Sequence, residues 1–312
     1  MMEYQMSLSL AQPEVPVLRG QPDEEAIRMI REFEPLAIQN DPRGYCVCTS
    51  EGKDSRVLGH LMRRAGVRHF YLHSITGIDP PKLVYFQRRS FAAYQDLGLP
   101  VYDVMYDKSV WRLMLEKKCP PLRHMRWCCA HLKERRTQEQ GNAILALGVR
   151  RYESVRRAKQ RNELEIDAYG KGKRGLIMAW DNCESRRIFE TCYAQSEKRI
   201  NPLAYWPDSY IWDYSREAGL EQCGLYGEGF HRLGCIGCPM AGEAVRRQEF
   251  ERWPGFYRLW IRVLDQVIAL RARQGMKNSH ACGQAWFEWW IQDKAQETYF
   301  DENQMMLDGF VD

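Results

Sequence analysis

A chain of 312 residues with 45% hydrophobic and 28% charged content has the composition of an ordinary globular protein, long enough to bury a core without staples. Its net charge of +4 is too mild to demand a nucleic acid. The absence of about 18 consecutive apolar residues argues against a membrane span, and the start lacks the layout of a secretory signal.

Residues 1–20, with Pro13 and Pro16 and little periodicity, are expected to form a loose arm. Residues 23–37 read as an amphipathic helix with Asp23, Glu24 and Glu25 near its start, where the helix dipole favours acids. The apolar run 44–49 predicts a strand buried on both faces. The polar turn Ser50-Glu51-Gly52-Lys53-Asp54-Ser55 follows. A helix over 55–65 then carries Val57, Leu58, Leu61 and Met62 at helical spacing and closes on Gly66. Strands at 68–74 and 100–104 flank a helix at 81–97. This β-α-β-α-β alternation predicts a parallel sheet with right-handed crossovers. Ligands of such sheets sit beyond the carboxyl ends of the strands, where the turn 50–55 and the stretch Thr76-Gly77-Ile78-Asp79-Pro80 both lie.

Further on, a helix is expected at 109–118, stopped by Pro120-Pro121, and another at 125–140. A strand is expected at 148–153, and a polar loop over 160–175 with Gly170, Gly172 and Gly175. A strand end leads into a helix through 201–219. Residues 221–240 are Gly- and Cys-rich with little regular structure. Residues 243–290 are helical by periodicity, their indoles read as core payload. The implied organisation is an arm and helix (1–43), a nucleotide-binding domain (44–220), and a Cys-rich loop with a Trp-rich helical region (221–312). Basic residues crowd 123–136 and 150–161, as solvated faces or as groups that meet phosphate.

Backbone N–H groups of the turn 50–55, with the first free N–H groups of the helix behind it, can form a concave anion site. Gly52 admits close approach, Lys53 supplies charge, and Ser50 and Ser55 supply hydroxyls. The plainer alternative is a strand-to-helix turn with Asp54 or Ser55 as N-cap; Walker A spacing is absent. The eleven cysteines, an odd number, fit a reducing cytoplasm. Cys235-Ile236-Gly237-Cys238-Pro239 can grip one metal centre, a redox dithiol being the competing reading. Cys128 and Cys129, adjacent and so poorly suited to a disulfide, would complete a Cys₄ set for an iron–sulfur cluster or zinc. Cys223 is a substitute ligand and Cys119 a weaker one. Cys46 and Cys48 read as small apolar side chains in a strand, and Cys183, Cys192 and Cys282 as structural.

Six motifs occur in a recognisable order: Ser50-x-Gly52-Lys53-Asp54-Ser55; Thr76-Gly77-x-Asp79-x-Pro81; Arg126-Trp127-Cys128-Cys129-x-x-Leu132-Lys133; Gly148-Val149-Arg150-x-x-Glu153-Ser154-x-x-Arg157; Asn201-Pro202-Leu203-x-x-Trp206; and Gly229-Phe230-x-Arg232-x-Gly234-Cys235-x-x-Cys238-Pro239. Over roughly residues 44–240 the chain resembles the phosphoadenosine phosphosulfate reductase family, iron–sulfur type, within the adenine nucleotide alpha hydrolase-like superfamily that carries a PP-loop. The resemblance implies an α/β fold: a parallel-sheet, Rossmann-like PP-loop domain with a Cys-rich segment and a helical C-terminal region. It implies that Ser50, Gly52, Lys53, Asp54 and Ser55, with Thr76 and Gly77, hold the phosphates of ATP or an adenylyl sulfate, with Lys133, Arg150 and Arg157 adding charge. It also implies a [4Fe–4S] cluster on Cys128, Cys129, Cys235 and Cys238, zinc being the alternative occupant.

Two departures redirect the expected reaction. Sulfonucleotide reductases resembling this family end in a tail with a Glu-Cys-Gly-Leu-His cysteine, whereas this sequence ends Leu307-Asp308-Gly309-Phe310-Val311-Asp312. Cys282-Gly283 is only faintly similar to that tail and is read as packing. The lysine in Gly52-Lys53-Asp54-Ser55 is similar to ATP-cleaving members, such as tRNA-thiolating enzymes and the ATP pyrophosphatase of DNA phosphorothioation. The expectation is an ATP pyrophosphatase-type enzyme that adenylates a substrate for sulfur transfer. Lys53, Asp54 and Arg157 would be catalytic, with Asp54, and Asp79 behind it, as carboxylates for Mg²⁺. A sulfonucleotide reductase, or a nucleotide-binding module that associates with nucleic acid, is the alternative. Expected partners are tRNA or DNA and a sulfur-donor protein, in the cytoplasm and without a membrane.

Overall fold

The computed structural model describes residues 22–135, 141–168, 175–191 and 196–293; the arm expected at 1–20 lies outside them. Seven strands form one sheet: β1 (Tyr45–Cys48), β2 (His69–Ile75), β3 (Val101–Met105), β4 (Leu145–Ala146), β5 (Leu164–Ala168), β6 (Leu176–Met178) and β7 (Ser196–Ile200). Their order is β3-β2-β1-β4-β7-β5-β6. The five strands from β3 to β7 are parallel, and β5 and β6 extend the sheet antiparallel. Tyr45, Cys46 and Val47 of β1 are fully buried, as a central parallel strand covered on both faces requires. The chain leaves β1 toward β2 on one side, and β4 joins on the other. The loops after β1 and β4 therefore flank the crevice of a topological switch point.

Helix α3 (Lys53–Ala65) buries Val57, Leu58, Leu61 and Met62 and ends on Gly66 at φ 72°, the left-handed conformation that glycine adopts without a Cβ clash. With α1 (Pro22–Glu32) and α2 (Glu34–Asn40) it packs into the larger apolar core under the sheet. The single helix expected over 23–37 is two, because Pro35 in the first turn of α2 cannot donate into a continuing ladder. The strand expected at 148–153 falls earlier. Ala143, Ile144, Leu145 and Ala146 are the buried apolar run, and Arg151–Glu153 is a 3₁₀ turn instead. The loop expected at 160–175 contains β5, since Leu164 and Ile166 supply buried apolar surface at alternate positions; residues 169–174 lie outside the described set. The helix expected at 125–140 is a short α-turn, Trp127–Cys129, that widens into a π-helical turn, Ala130–Glu134. Residues 136–140 are likewise outside the described set.

The C-terminal helices Glu243–Arg252, Pro254–Arg273 and Gly283–Ile291 form a second core with α5 (Val110–Lys117) and the Trp127 turn. Trp260 and Trp290 stack with centroids 4.2 Å apart, and the Trp290 indole donates to the Pro121 carbonyl at 2.8 Å. These indoles are core payload, and Gly283 is packing too: a Cβ there would lie 2.3 Å from the Ile261 carbonyl oxygen. Cys183 and Cys282, read as structural, are instead exposed, each at the N-terminal end of a helix; Cys192 is outside the described residues.

The second core carries the Cys235–Cys238 loop. The loop's Ile236 N–H donates to the Ile78 carbonyl at 2.7 Å, and Gly237 N–H donates to Glu249 Oε2 at 2.8 Å. Gly237 has φ +70°, and a Cβ there would lie 2.7 Å from the Phe250 ring. Gly237→Ala is therefore expected to destabilise the protein by about 1–3 kcal/mol, measured as a melting temperature several degrees lower with the rest of the fold intact.

Candidate nucleotide and thiol site

The turn after β1 is held open by buried polar contacts. Glu51 is fully buried and has φ +54°, a conformation that is strained for a residue with a Cβ. Its carboxylate is held by Arg56 Nη1 at 2.6 Å, by the Thr49 hydroxyl at 2.9 Å and by the Tyr94 hydroxyl at 3.3 Å. Gln87 donates to the Ser50 carbonyl at 2.8 Å, and His73 Nδ1 to the Thr49 carbonyl at 3.0 Å. Gly52, with φ −74°, is the residue before α3, so neither Asp54 nor Ser55 is the N-cap. The Ser55 hydroxyl donates to the Gly52 carbonyl at 3.0 Å. Gly148, after β4, lies against this helix start; a Cβ there would be 3.1 Å from the Asp54 carbonyl carbon.

Beside the loop is a cluster of two cations and two carboxylates. Lys53 Nζ lies 3.2 Å from Asp208 Oδ1 and 3.7 Å from Asp54 Oδ2. Arg150, only 3% exposed, reaches Asp54 Oδ1 at 2.6 Å, Asp208 Oδ1 at 2.7 Å and the Trp206 carbonyl at 3.3 Å. Burial raises the Asp54 carboxyl above its usual value against the pull of Arg150 and Lys53. Asp208 is also partly desolvated, but Lys53 and Arg150 hold it below the usual range. Arg157 pairs with Glu153 one turn away, and its burial, with repulsion from Arg232 and Arg161, lowers its affinity for a proton.

The four sequence-predicted thiols, Cys128, Cys129, Cys235 and Cys238, line one cavity of about 630 Å³ that also includes Thr49 and Ser50 of the loop. The segments that bear them lie far apart in the chain. None of the four is in a disulfide. Cys128 donates to Cys129; that bond, with burial, pushes the Cys128 thiol well up, while the same bond, Lys133 and Arg126 pull Cys129 down to about 6. Burial raises Cys235 to about 11, and its sulfur lies 3.5 Å from the Thr76 hydroxyl. Thr76 donates to Asp79 at 2.7 Å, closing a turn that Gly77 makes possible with φ +74°. Lys133 lies among the thiols: Cys235 first, then Asp79, Cys129 and Cys238, favour its charged form. Cys48 also lines the cavity. Cys223 is buried in a separate apolar cluster with Leu83, Phe86 and Phe230. Among the described residues, no group of three or more His, Cys, Asp or Glu is disposed to hold a single metal ion, and no helix is long and apolar enough to cross a membrane.

Glu51, Asp208, Tyr226 and Glu249 escaped the sequence reading. Each reaches the site from a position without a motif: an unassigned place inside the loop, a helix start, an irregular segment and a C-terminal helix.

Residues 44–241 match the phosphoadenosine phosphosulfate reductase domain. An uncharacterised protein of Methanocaldococcus jannaschii is 27% identical over 250 residues, 78% of this chain and 53% of that protein. A second from the same organism is 21% identical over 174 residues, 54% of this chain and 29% of that one. The chain thus spans about half the length of the first relative and under a third of the second. Similar solved structures include the phosphoadenylyl-sulfate reductase of Candida auris in a phosphate complex (17% identity, 70% and 89% of the two chains, TM-score 0.42). FMN adenylyltransferase of Candida glabrata (15%, 69% and 61%, 0.44) and the U34-tRNA thiolase of Methanococcus maripaludis with its [4Fe-4S] cluster (12%, 80% and 80%, 0.40) are others.

Glu249, 5% exposed, lines the same cavity, and burial pushes its carboxyl up to about 7 against the Gly237 N–H and Arg246. Because its folded value lies above the unfolded 4.5, the stability linked to its proton is fully present below pH 4.5 and is lost as pH rises through 7. Glu249→Gln, which keeps an acceptor for Gly237, should raise the melting temperature at pH 8, by roughly 3 kcal/mol of stability at most, and leave it nearly unchanged at pH 4.5. Thermal unfolding at the two pH values checks this.

Proposed function

We infer that this chain, which belongs to the phosphoadenosine phosphosulfate reductase domain family, binds ATP at residues 50–55 and adenylates an acceptor for sulfur transfer. The observation that carries this reading is one cavity lined by Thr49 and Ser50, where the nucleotide loop begins, and by four thiols of two distant segments. In the proposed step an acceptor oxygen attacks the α-phosphorus of ATP, pyrophosphate departs and the acceptor's proton passes to solvent. A sulfur nucleophile from a donor then displaces AMP, a far better leaving group than hydroxide.

This chain's residues would contribute charge and orientation. The Asp54 and Ser55 amides of α3 and the Lys53 ammonium would face the phosphates, and Lys53 would leave Asp208 to stabilise departing pyrophosphate. Arg150, locked between Asp54 and Asp208, holds both carboxylates in place; Asp54 is the proposed carboxylate for Mg²⁺, with Asp79 farther off. Arg157 stands behind as further positive charge. On the thiol side, four soft donors fit an iron–sulfur centre. All four line one cavity, and zinc is the alternative occupant for the same donors. Cys128, Cys129, Cys235 and Cys238 would hold a [4Fe–4S] cluster, and there it would position or relay sulfur beside the nucleotide. Lys133, among those thiols, would face both the cluster and the nucleotide's anionic end. The acceptor is proposed to be a tRNA or DNA, with a sulfur-donor protein as partner, in the cytoplasm.

Two measurements test the reading. Pyrophosphate release from ATP with tRNA or DNA acceptors should fall about 100-fold or more in Lys53→Ala; no release with any acceptor, and sulfite release from an adenylyl sulfate plus a thiol, would establish the reductase instead. Anaerobic purification should return iron and sulfide in [4Fe–4S] proportion, lost in Cys238→Ser, and zinc in their place would overturn the cluster.

A further inference from the structure

One side chain reaches the nucleotide loop from the Cys-rich segment. Tyr226 opens the 3₁₀ turn Tyr226–Glu228, and its hydroxyl oxygen accepts the Lys53 backbone N–H at 2.9 Å. That amide begins α3, where the helix dipole favours negative charge. The same oxygen lies 3.5 Å from where a Cβ on Gly52 would stand, so the hydroxyl rests against the loop's backbone at Gly52 and Lys53.

The ring is fixed in place. Trp212 meets it edge-on at 5.0 Å and 88°, and the Trp212 indole donates to Asp208 at 3.2 Å, the carboxylate that faces Lys53. Two residues on, Glu228 is tied to Lys82 at 2.7 Å and to Arg252 at 3.1 Å. Burial keeps the phenol protonated, well above its usual range. Among the described residues its proton has no acceptor. A hydroxyl that accepts from a helix-start amide is polarised into a stronger donor, and this one has its donor unused beside Lys53.

We propose that Tyr226 is a phosphate ligand of this site: it keeps the Lys53 amide bond and donates its own hydrogen bond to an oxygen of the bound nucleotide's phosphates. The inference rests on the reading of residues 50–55 as a nucleotide site and deepens it. Hydroxyl and amide then act in series, extending the reach of the helix start by one bond. The ligand comes from the segment that continues, nine residues later, into Cys235. Phosphate grip and the thiol loop thus share one stretch of chain.

Calorimetric titration of the full chain with ATP, inorganic pyrophosphate and adenosine, for wild type, Tyr226→Phe and Lys53→Ala, tests this. Tyr226→Phe keeps the ring against Trp212 and should fold as wild type, its melting temperature lowered by only a few degrees through loss of the Lys53 amide bond. It should bind ATP and pyrophosphate about tenfold more weakly, the loss of one charge-assisted hydrogen bond, with adenosine unaffected. Unchanged affinity for ATP and pyrophosphate would overturn the proposal. So would tighter binding, which would make the hydroxyl a competitor for the amide, or an equal loss for adenosine, which would make its role structural. If wild type binds neither ATP nor pyrophosphate, the nucleotide reading fails first and takes this inference with it; if wild type binds both and only Tyr226→Phe behaves as wild type, this inference alone fails.

Discussion

A single main-chain hydrogen bond, from Ile236 N–H to the Ile78 carbonyl at 2.7 Å, ties the thiol loop to the carboxyl end of the sheet. Ile78 belongs to the turn after β2 that Thr76, Gly77 and Asp79 build, and Cys235 rests on the Thr76 hydroxyl. Moving this bond by one residue would swing Cys235 and Cys238 away from Cys128 and Cys129. The loop has little freedom to do so. Gly237 admits no Cβ against Phe250, and Glu249 holds its amide. The Trp-rich helices act here as a rigid backing: Phe250, Trp260 and Trp290 belong to the same apolar cluster as Ile236.

The nucleotide loop follows a different physical logic. Glu51 holds a left-handed backbone conformation that would otherwise cost about 1–3 kcal/mol, offset by a buried ion pair with Arg56 and two hydroxyl donors. Removing one partner of such a buried pair is expensive, because the remaining charge is stranded. Lys53, Arg150, Asp54 and Asp208 nearly cancel one another's charge. On the proposed reading, a phosphate would replace Asp208 beside Lys53 while Arg150 keeps its two carboxylates, so no cation would be left buried alone.

Much of the fold was legible in local sequence because local physics decides it. The strands β1, β2 and β3, α3 and the helix after β2 follow from apolar periodicity and from Gly66, and the switch point places the turn 50–55 where a parallel sheet receives ligands. The sequence singled out Cys128, Cys129, Cys235 and Cys238, and the fold brings all four to the lining of one cavity. Two of the misread stretches share one cause. At 148–153 and 160–175 the alternation of polar and apolar residues is weak, and pairing with β1, β7 and β6 decided which residues became strand. Pro35 and the π-turn at Ala130–Glu134 are local breaks that a periodicity average smooths over.

The amino-acid order by itself determined the local frame: a strand, a polar turn and a helix, with an adjacent cysteine pair and a Cys-x-x-Cys downstream. Those features depend on neighbours within a few residues, through backbone hydrogen bonds and side-chain periodicity. Only the tertiary structure decided that Lys133 stands among the thiols, that Arg150 bridges Asp54 to Asp208, and that Tyr226 reaches across the chain to the Lys53 amide. Each of these contacts closes over a long stretch of chain. Its energy is won against loop-closure entropy by the packing of the two cores, a collective quantity that no short window of sequence carries.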